Sequence, residues 1–166
     1  MLIPIVDIPS SASLNTENTT ELLTFISHIG ILGPILLRVS DIAVEHEVAA
    51  LHLVESATAL TACYIDGLTF DNDDLATKLL DKGARVLLFK ATLEVELQAT
   101  VMKSLPRNRV GLNCTSEAIT ISKMLETVNE FREYSEHFLF RYDIAEVTLL
   151  YLVAFCGKHH SLATVI

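Results

Sequence analysis

Six short apolar runs, each followed by a helical pattern, constrain this chain more than any other feature of its sequence. The runs are 2–6 (LIPIV), 34–39 (PILLRV), 60–65 (LTACYI), 85–89 (RVLLF), 109–112 (RVGL) and 137–140 (HFLF). Runs this short and continuous read as strands covered on both faces. Helical spacing fills every gap. Residues 19–29 place Leu22, Leu23, Phe25, Ile26 and Ile29 on a helix that Gly30 stops. Ser40 caps a helix over 41–56, with Val44, Val48 and Leu51, and Ile42, Ala49 and Leu53, on one broad face. The segment FDNDDLATKLLDKGA opens on Asp71, Asp73 and Asp74, carries Leu75, Leu79 and Leu80, and closes on Lys82 and a Gly83 C-cap. Further helices are predicted over 92–105, ended by Pro106, over 116–134, with Ile119, Met124, Leu125 and Val128 inward, and over 145–155.

Strand and helix in strict alternation mean an α/β fold of repeated βα units around a parallel sheet. A repeat of roughly 25 to 30 residues is the spacing of a TIM barrel, so a partial TIM-barrel-like sheet is the preferred arrangement, with an open doubly wound sheet as the alternative. No composition shift interrupts the repeat, so 1–166 is expected to be a single domain. Its end, Ala163-Thr164-Val165-Ile166, is apolar and without a closing signal, as expected where a coding frame is cut inside a larger protein.

Composition narrows the function classes. Half of the residues are hydrophobic and mean hydropathy is +0.43, which describes a core-rich globular chain. A net charge of −9 without clustered Lys and Arg argues against a nucleic-acid partner. The longest apolar stretch, VTLLYLVAFC, has ten residues against the roughly 20 a membrane helix needs, so it is a core helix or a strand and no membrane partner is expected. The amino terminus has no basic region before its apolar run, and the three cysteines, Cys63, Cys114 and Cys156, are widely spaced among apolar neighbours. Both features suit reduced thiols and a cytoplasmic location.

Asp7, closing the first apolar run, is the leading catalytic candidate, since α/β folds meet their ligands where strands leave the core. The run ends Asp7, Ser40-Asp41, Asp66, Lys90, Asn113 and Asp143 gather on one side if the sheet curls. Asp7, Asp66 and Asp143 are then weak candidates for a divalent cation, with helix capping the ordinary role of Asp41 and Asp143. Glu45-His46-Glu47 begins like a zinc-protease helix but has Ala50 where the second His is needed, and His52 points away from His46. His159-His160 reads as a polar patch. Cys114 would need a base to become a nucleophile, and His137, one strand on, is the one candidate. No glycine-rich phosphate loop, GxSxG or CxxC occurs, and no cofactor is expected.

LIPIVDI resembles the first strand of the histidine-pathway barrel isomerases and cyclases, whose Ile-Pro-x-x-Asp strand ends in a catalytic acid/base. LLDKGARVLLF followed by LPRNRVGLNC is similar to the fourth and fifth units of those barrels. The run from Leu2 to Cys114 resembles the amino-terminal segment of the fungal trifunctional histidine-biosynthesis proteins, with a Leu-x-x-Gly helix end before an apolar strand and a Pro-x-x-Arg-Val connection. The activities this resemblance implies for the full-length relatives are phosphoribosyl-AMP cyclohydrolase, phosphoribosyl-ATP pyrophosphatase and histidinol dehydrogenase. The residues that carry those activities have no matching positions in 1–166.

An isomerase of the barrel type needs an acid and a base in reach of one sugar. The resemblance places the second at the end of strand five, where Asn113 cannot take a proton. Asp66-Gly67-Leu68 offers a single glycine beside an acid in place of a phosphate-binding pair. The expectation is therefore a non-catalytic structural or docking domain associated with L-histidine biosynthesis, its apolar edges covered by a following domain or a second copy. The alternatives are a barrel-type phosphoribosyl isomerase-like enzyme using Asp7, and a module binding a divalent cation or small ligand.

Overall fold

Strand and helix alternate as predicted through the sixth strand. The computed structural model describes residues 3–8, 16–39, 47–70, 73–92, 95–144, 147–156 and 161–165. They fall into two compact units, Ile3–Leu87 and Leu88–Ile166.

The first unit holds β1 (Ile5–Ile8), α1 (Thr16–Ile29), β2 (Ile35–Val39), α2 (Glu47–Leu60), β3 (Cys63–Leu68) and α3 (Asp73–Asp81), and ends within β4 (Val86–Lys90). β1 pairs with β2 and β2 with β3, both in parallel. In β2 and β3 nearly every residue is buried, as strands covered on both faces require. β1 departs from that expectation: Val6 and Ile8 are buried while Asp7 between them is exposed. Ile26, Ile35, Leu37, Leu53, Ala57 and Ile65 are fully buried and form the core.

Two helix ends show how local sequence sets the connections. After α3, the Gly83 N–H donates to the Leu80 carbonyl and the Ala84 N–H to the Leu79 carbonyl, both at 3.1 Å. This is a Schellman ending, and Gly83, at φ +96°, takes the left-handed conformation it requires. Lys78 then ties α3 to α2, with Glu47 and Asp74 each 2.7 Å from its ammonium. α2 runs four residues past its expected end, to Leu60, so the strand predicted from 60 begins at Cys63. Val48, expected inward, is 78 % exposed; Ala50, Leu53, Val54 and Ala57 are the buried face.

The second unit holds the end of β4, α4 (Val95–Ser104), β5 (Val110–Ala118), α5 (Ile121–Phe131), β6 (His137–Ile144), β7 (Val147–Cys156) and β8 (Ser161–Val165). β5 and β6 pair in parallel, with Gly111 opposite His137 and Cys114 opposite Phe140. Gly111 has no room for a side chain, because a Cβ would stand 2.8 Å from the His137 carbonyl oxygen. Phe89, Met102, Leu112, Phe138 and Phe140 are buried, the last two stacked with centroids 6.0 Å apart.

β5 does not close at Asn113, and 116–118 are strand rather than helix. The Asn113 side chain accepts from the Thr115 N–H and hydroxyl, and the register with β6 shifts between Cys114 and Ala118. The strand passes through this irregularity instead of ending. α5 begins later, with Thr120 as its N-cap. Its Leu125, expected inward, is 60 % exposed, while Met124 and Phe131 are buried.

The largest correction concerns residues 145–155, predicted as a helix. VTLLYLVAFC is β7, antiparallel to β6 on one side and to β8 on the other. Apolar runs of this length fit either element by periodicity, and here the pairing on both edges makes it a strand, which its β-branched and aromatic residues suit. The α/β architecture of repeated βα units with a parallel sheet is thus established for six strands, and an antiparallel pair follows it. Within each unit every strand pairs with the next in the chain, the order of a barrel segment and of one wing of an open doubly wound sheet alike.

Candidate functional site

Three charged residues form one row across β1, β2 and β3. Asp7 is the register partner of Arg38, and Arg38 of Asp66. Because partners in adjacent strands point to the same face, the three side chains meet. The Arg38 Nε–H donates to Asp66 Oδ2 at 3.1 Å, and its Nη1 lies 3.6 Å from Asp7 Oδ1. Burial grades along the row: the Asp66 side chain is 1 % exposed, that of Arg38 30 % and that of Asp7 71 %.

This placement corrects two expectations. Asp66 is not at a strand end: it lies inside β3, and a carboxylate there is tolerable because Arg38 neutralises it and bonds it. Asp7 likewise sits within β1, not after it, with its Oδ1 3.6 Å from the guanidinium and its side chain 71 % exposed. Asp143 is in β6, so the helix it was expected to cap does not follow it. Among the described residues no group of three or more His, Cys, Asp or Glu stands close enough to hold a metal ion. Between Asp7 and Asp66, Arg38 supplies the positive charge that a cation would.

The thiol candidates resolve in the same way. Burial pushes the Cys114 thiol up to about 12, and Cys63 to the same value for the same reason. Both are protonated at neutral pH and neither is a nucleophile there. His137 stands opposite Gly111, three residues before Cys114 on β5, with its Nε2 3.0 Å from the Asn108 carbonyl oxygen. His52 is exposed on α2, and Glu47 is engaged by Lys78. Ser40, Asp41, Glu45, His46, His159 and His160 lie outside the described residues.

Two residues of consequence were missed. Arg38 was legible as the one charge in PILLRV, a residue that a buried strand carries only with a partner. Gln98, buried to 2 % exposure on α4, accepts a hydrogen bond from the Thr92 N–H at 3.0 Å, and nothing in its sequence neighbourhood marks it. No helix of the described residues is long and apolar enough to cross a membrane. Compared with known proteins, the chain matches no family model and no curated protein.

Proposed function

We propose that this chain is a non-catalytic structural or docking domain associated with L-histidine biosynthesis, working in the cytoplasm against a following domain of a larger chain or a second copy of itself. The observation that carries the reading is the ion pair between Asp7 and Arg38. The acid/base of the isomerases that LIPIVDI resembles must reach a sugar, whereas Asp7 here stands beside a guanidinium, 3.6 Å away, that also binds Asp66. At the matching place on β5, the Asn113 carboxamide oxygen is taken up by Thr115. Asp7 thus faces a cation on the neighbouring strand, and Asn113, which cannot carry a proton, bonds a residue of its own strand.

Among the described residues Ile31 and Leu32 are 84 % and 79 % exposed and Val48 78 %, aliphatic groups that a docked partner would cover. The negative charge and the absence of clustered Lys and Arg in the sequence speak against nucleic acid as the partner.

The test is a melting experiment on the purified chain with a phosphoribosyl imidazole intermediate of the histidine pathway, in wild type and Asp7→Asn. The expected result is no ligand-induced shift in either. A shift shown by wild type and lost in the variant would overturn the reading in favour of an isomerase-like enzyme with Asp7 at its site.

A further inference from the structure

We propose that the second unit binds a small carboxylate with a short apolar tail. A cavity of about 220 Å³ lies between one face of β5 and the helices α4 and α5. Its burial is graded, with the exposed Glu130 next to the buried Phe131. Along β5 the lining passes from buried Leu112 through half-buried Cys114 to exposed Ser116, and α5 contributes buried Phe131 at one end and exposed Lys123 at the other. A ligand that fits has an apolar end for Leu112 and Phe131 and a polar end for the mouth.

Gln98 identifies the polar end. Its Oε1 accepts from the Thr92 N–H, which fixes the carboxamide orientation, and that is the hydrogen bond its side chain makes among the described residues. The two N–H donors on Nε2 belong to a residue only 2 % exposed that lines the cavity. Nε2 opens on the cavity, so an oxygen of a ligand there can accept from it. Lys123 adds a positive charge at the mouth. Its ammonium is 2.9 Å from Glu126, an exposed pair of the kind that contributes little and is readily shared.

Donors plus a cation select a carboxylate over a neutral oxygen. Glu130 also lines the cavity, but seven residues along α5 from Lys123 it is about 10 Å away along the axis, near the screening length of physiological salt. The Cys114 thiol, held neutral by burial, adds no opposing charge. The volume is below that of drug-sized pockets, roughly 300–1,000 Å³, and so admits only a short tail. This inference uses no residue of the Asp7 row and goes beyond the docking role.

Isovalerate is the probe, with isoamyl alcohol as its uncharged counterpart of the same tail. The ¹⁵N-labelled full chain is titrated with each, and the Gln98 side-chain amide is followed with the backbone amides of Leu112, Cys114 and Thr127. Isovalerate is expected to shift these resonances saturably and to bind about tenfold more tightly than the alcohol. Gln98→Glu keeps an acceptor for the Thr92 N–H but sets a carboxylate against the ligand, and is expected to abolish binding. Should that variant fail to fold, Lys123→Gln, at an exposed position, is expected to weaken binding to the level of the alcohol. The inference is overturned by the absence of a saturable shift in wild type, by equal binding of acid and alcohol, or by a folded Gln98→Glu or Lys123→Gln that binds as wild type does.

Discussion

Replacing Arg38 with Met tests the row across β1, β2 and β3 most directly. Methionine keeps the apolar stem in place and removes the guanidinium, leaving a carboxylate that is 1 % exposed without the cation 3.1 Å away. Removing one partner of a buried ion pair costs about 3–5 kcal/mol. Arg38 is itself 30 % exposed, so water enters where it stood, and the lower end, about 3 kcal/mol, is expected. For a chain of this length that loss lowers the melting temperature by about 6–12 °C. Asp7→Asn breaks only the outer contact, at 3.6 Å from an exposed carboxylate, and should cost less than about 0.5 kcal/mol. The decisive variant is the double substitution Arg38→Met with Asp66→Asn, which removes the buried charge together with its partner and should recover about half of the loss. Urea unfolding followed by circular dichroism measures all four proteins. If Arg38→Met unfolds within about 1 kcal/mol of wild type, or if the double variant is as unstable as the single one, Asp66 does not depend on Arg38 and the account of the row is wrong.

The thiols give a prediction about pH. Folded Cys63 and Cys114 keep their protons up to about 12 against an ordinary value of 9.0, so between these limits the folded state binds more protons than the unfolded one. Stability should therefore fall as pH rises through that window, by about 1.4 kcal/mol per pH unit for each thiol, and Cys63→Ala with Cys114→Ala should flatten the slope in alkaline melts. Gly111→Ala drives a methyl against the His137 carbonyl and the Leu88 side chain; a loss of about 2 kcal/mol is expected by urea unfolding, and a neutral result would contradict the close approach of β5 to β6. Thr120→Ala removes the cap whose hydroxyl accepts from the Lys123 N–H at 3.3 Å, and should cost about 0.5–1 kcal/mol, read as faster amide exchange in the first turn of α5.

The parts of the fold that could be read from the sequence are those fixed by local chemistry. The Asp-rich start and Gly83 end of α3 follow from propensity and capping alone, and the structure has both within a residue or two. The misplaced boundaries are those where a distant residue decides. β3 passes through Asp66 because Arg38, 28 positions earlier, is its partner, and a reading of LTACYID by itself takes the acid for an end. β5 passes Asn113 because that side chain turns on Thr115 and leaves the ladder able to resume. VTLLYLVAFC is apolar at every position but one, so no period separates strand from helix until β6 offers an edge to pair with. At the site, Asp7 was visible as an acid out of place in an apolar run. That it would meet a cation depended on the β1 and β2 register, which no single segment encodes.

The change from parallel to antiparallel pairing at β6 also bears on how the chain acquires its structure. A parallel partner must be brought in across a whole crossover: His137 meets Gly111 over 26 positions. The antiparallel contacts close over far shorter loops, from Ile144 against Val147 outward, and Cys156 against Ser161 likewise. Short closures cost less chain entropy and form on faster timescales. β6, β7 and β8 should accordingly assemble as a meander early in folding, with β6 presenting its other edge as a template on which the slower β5 crossover is completed.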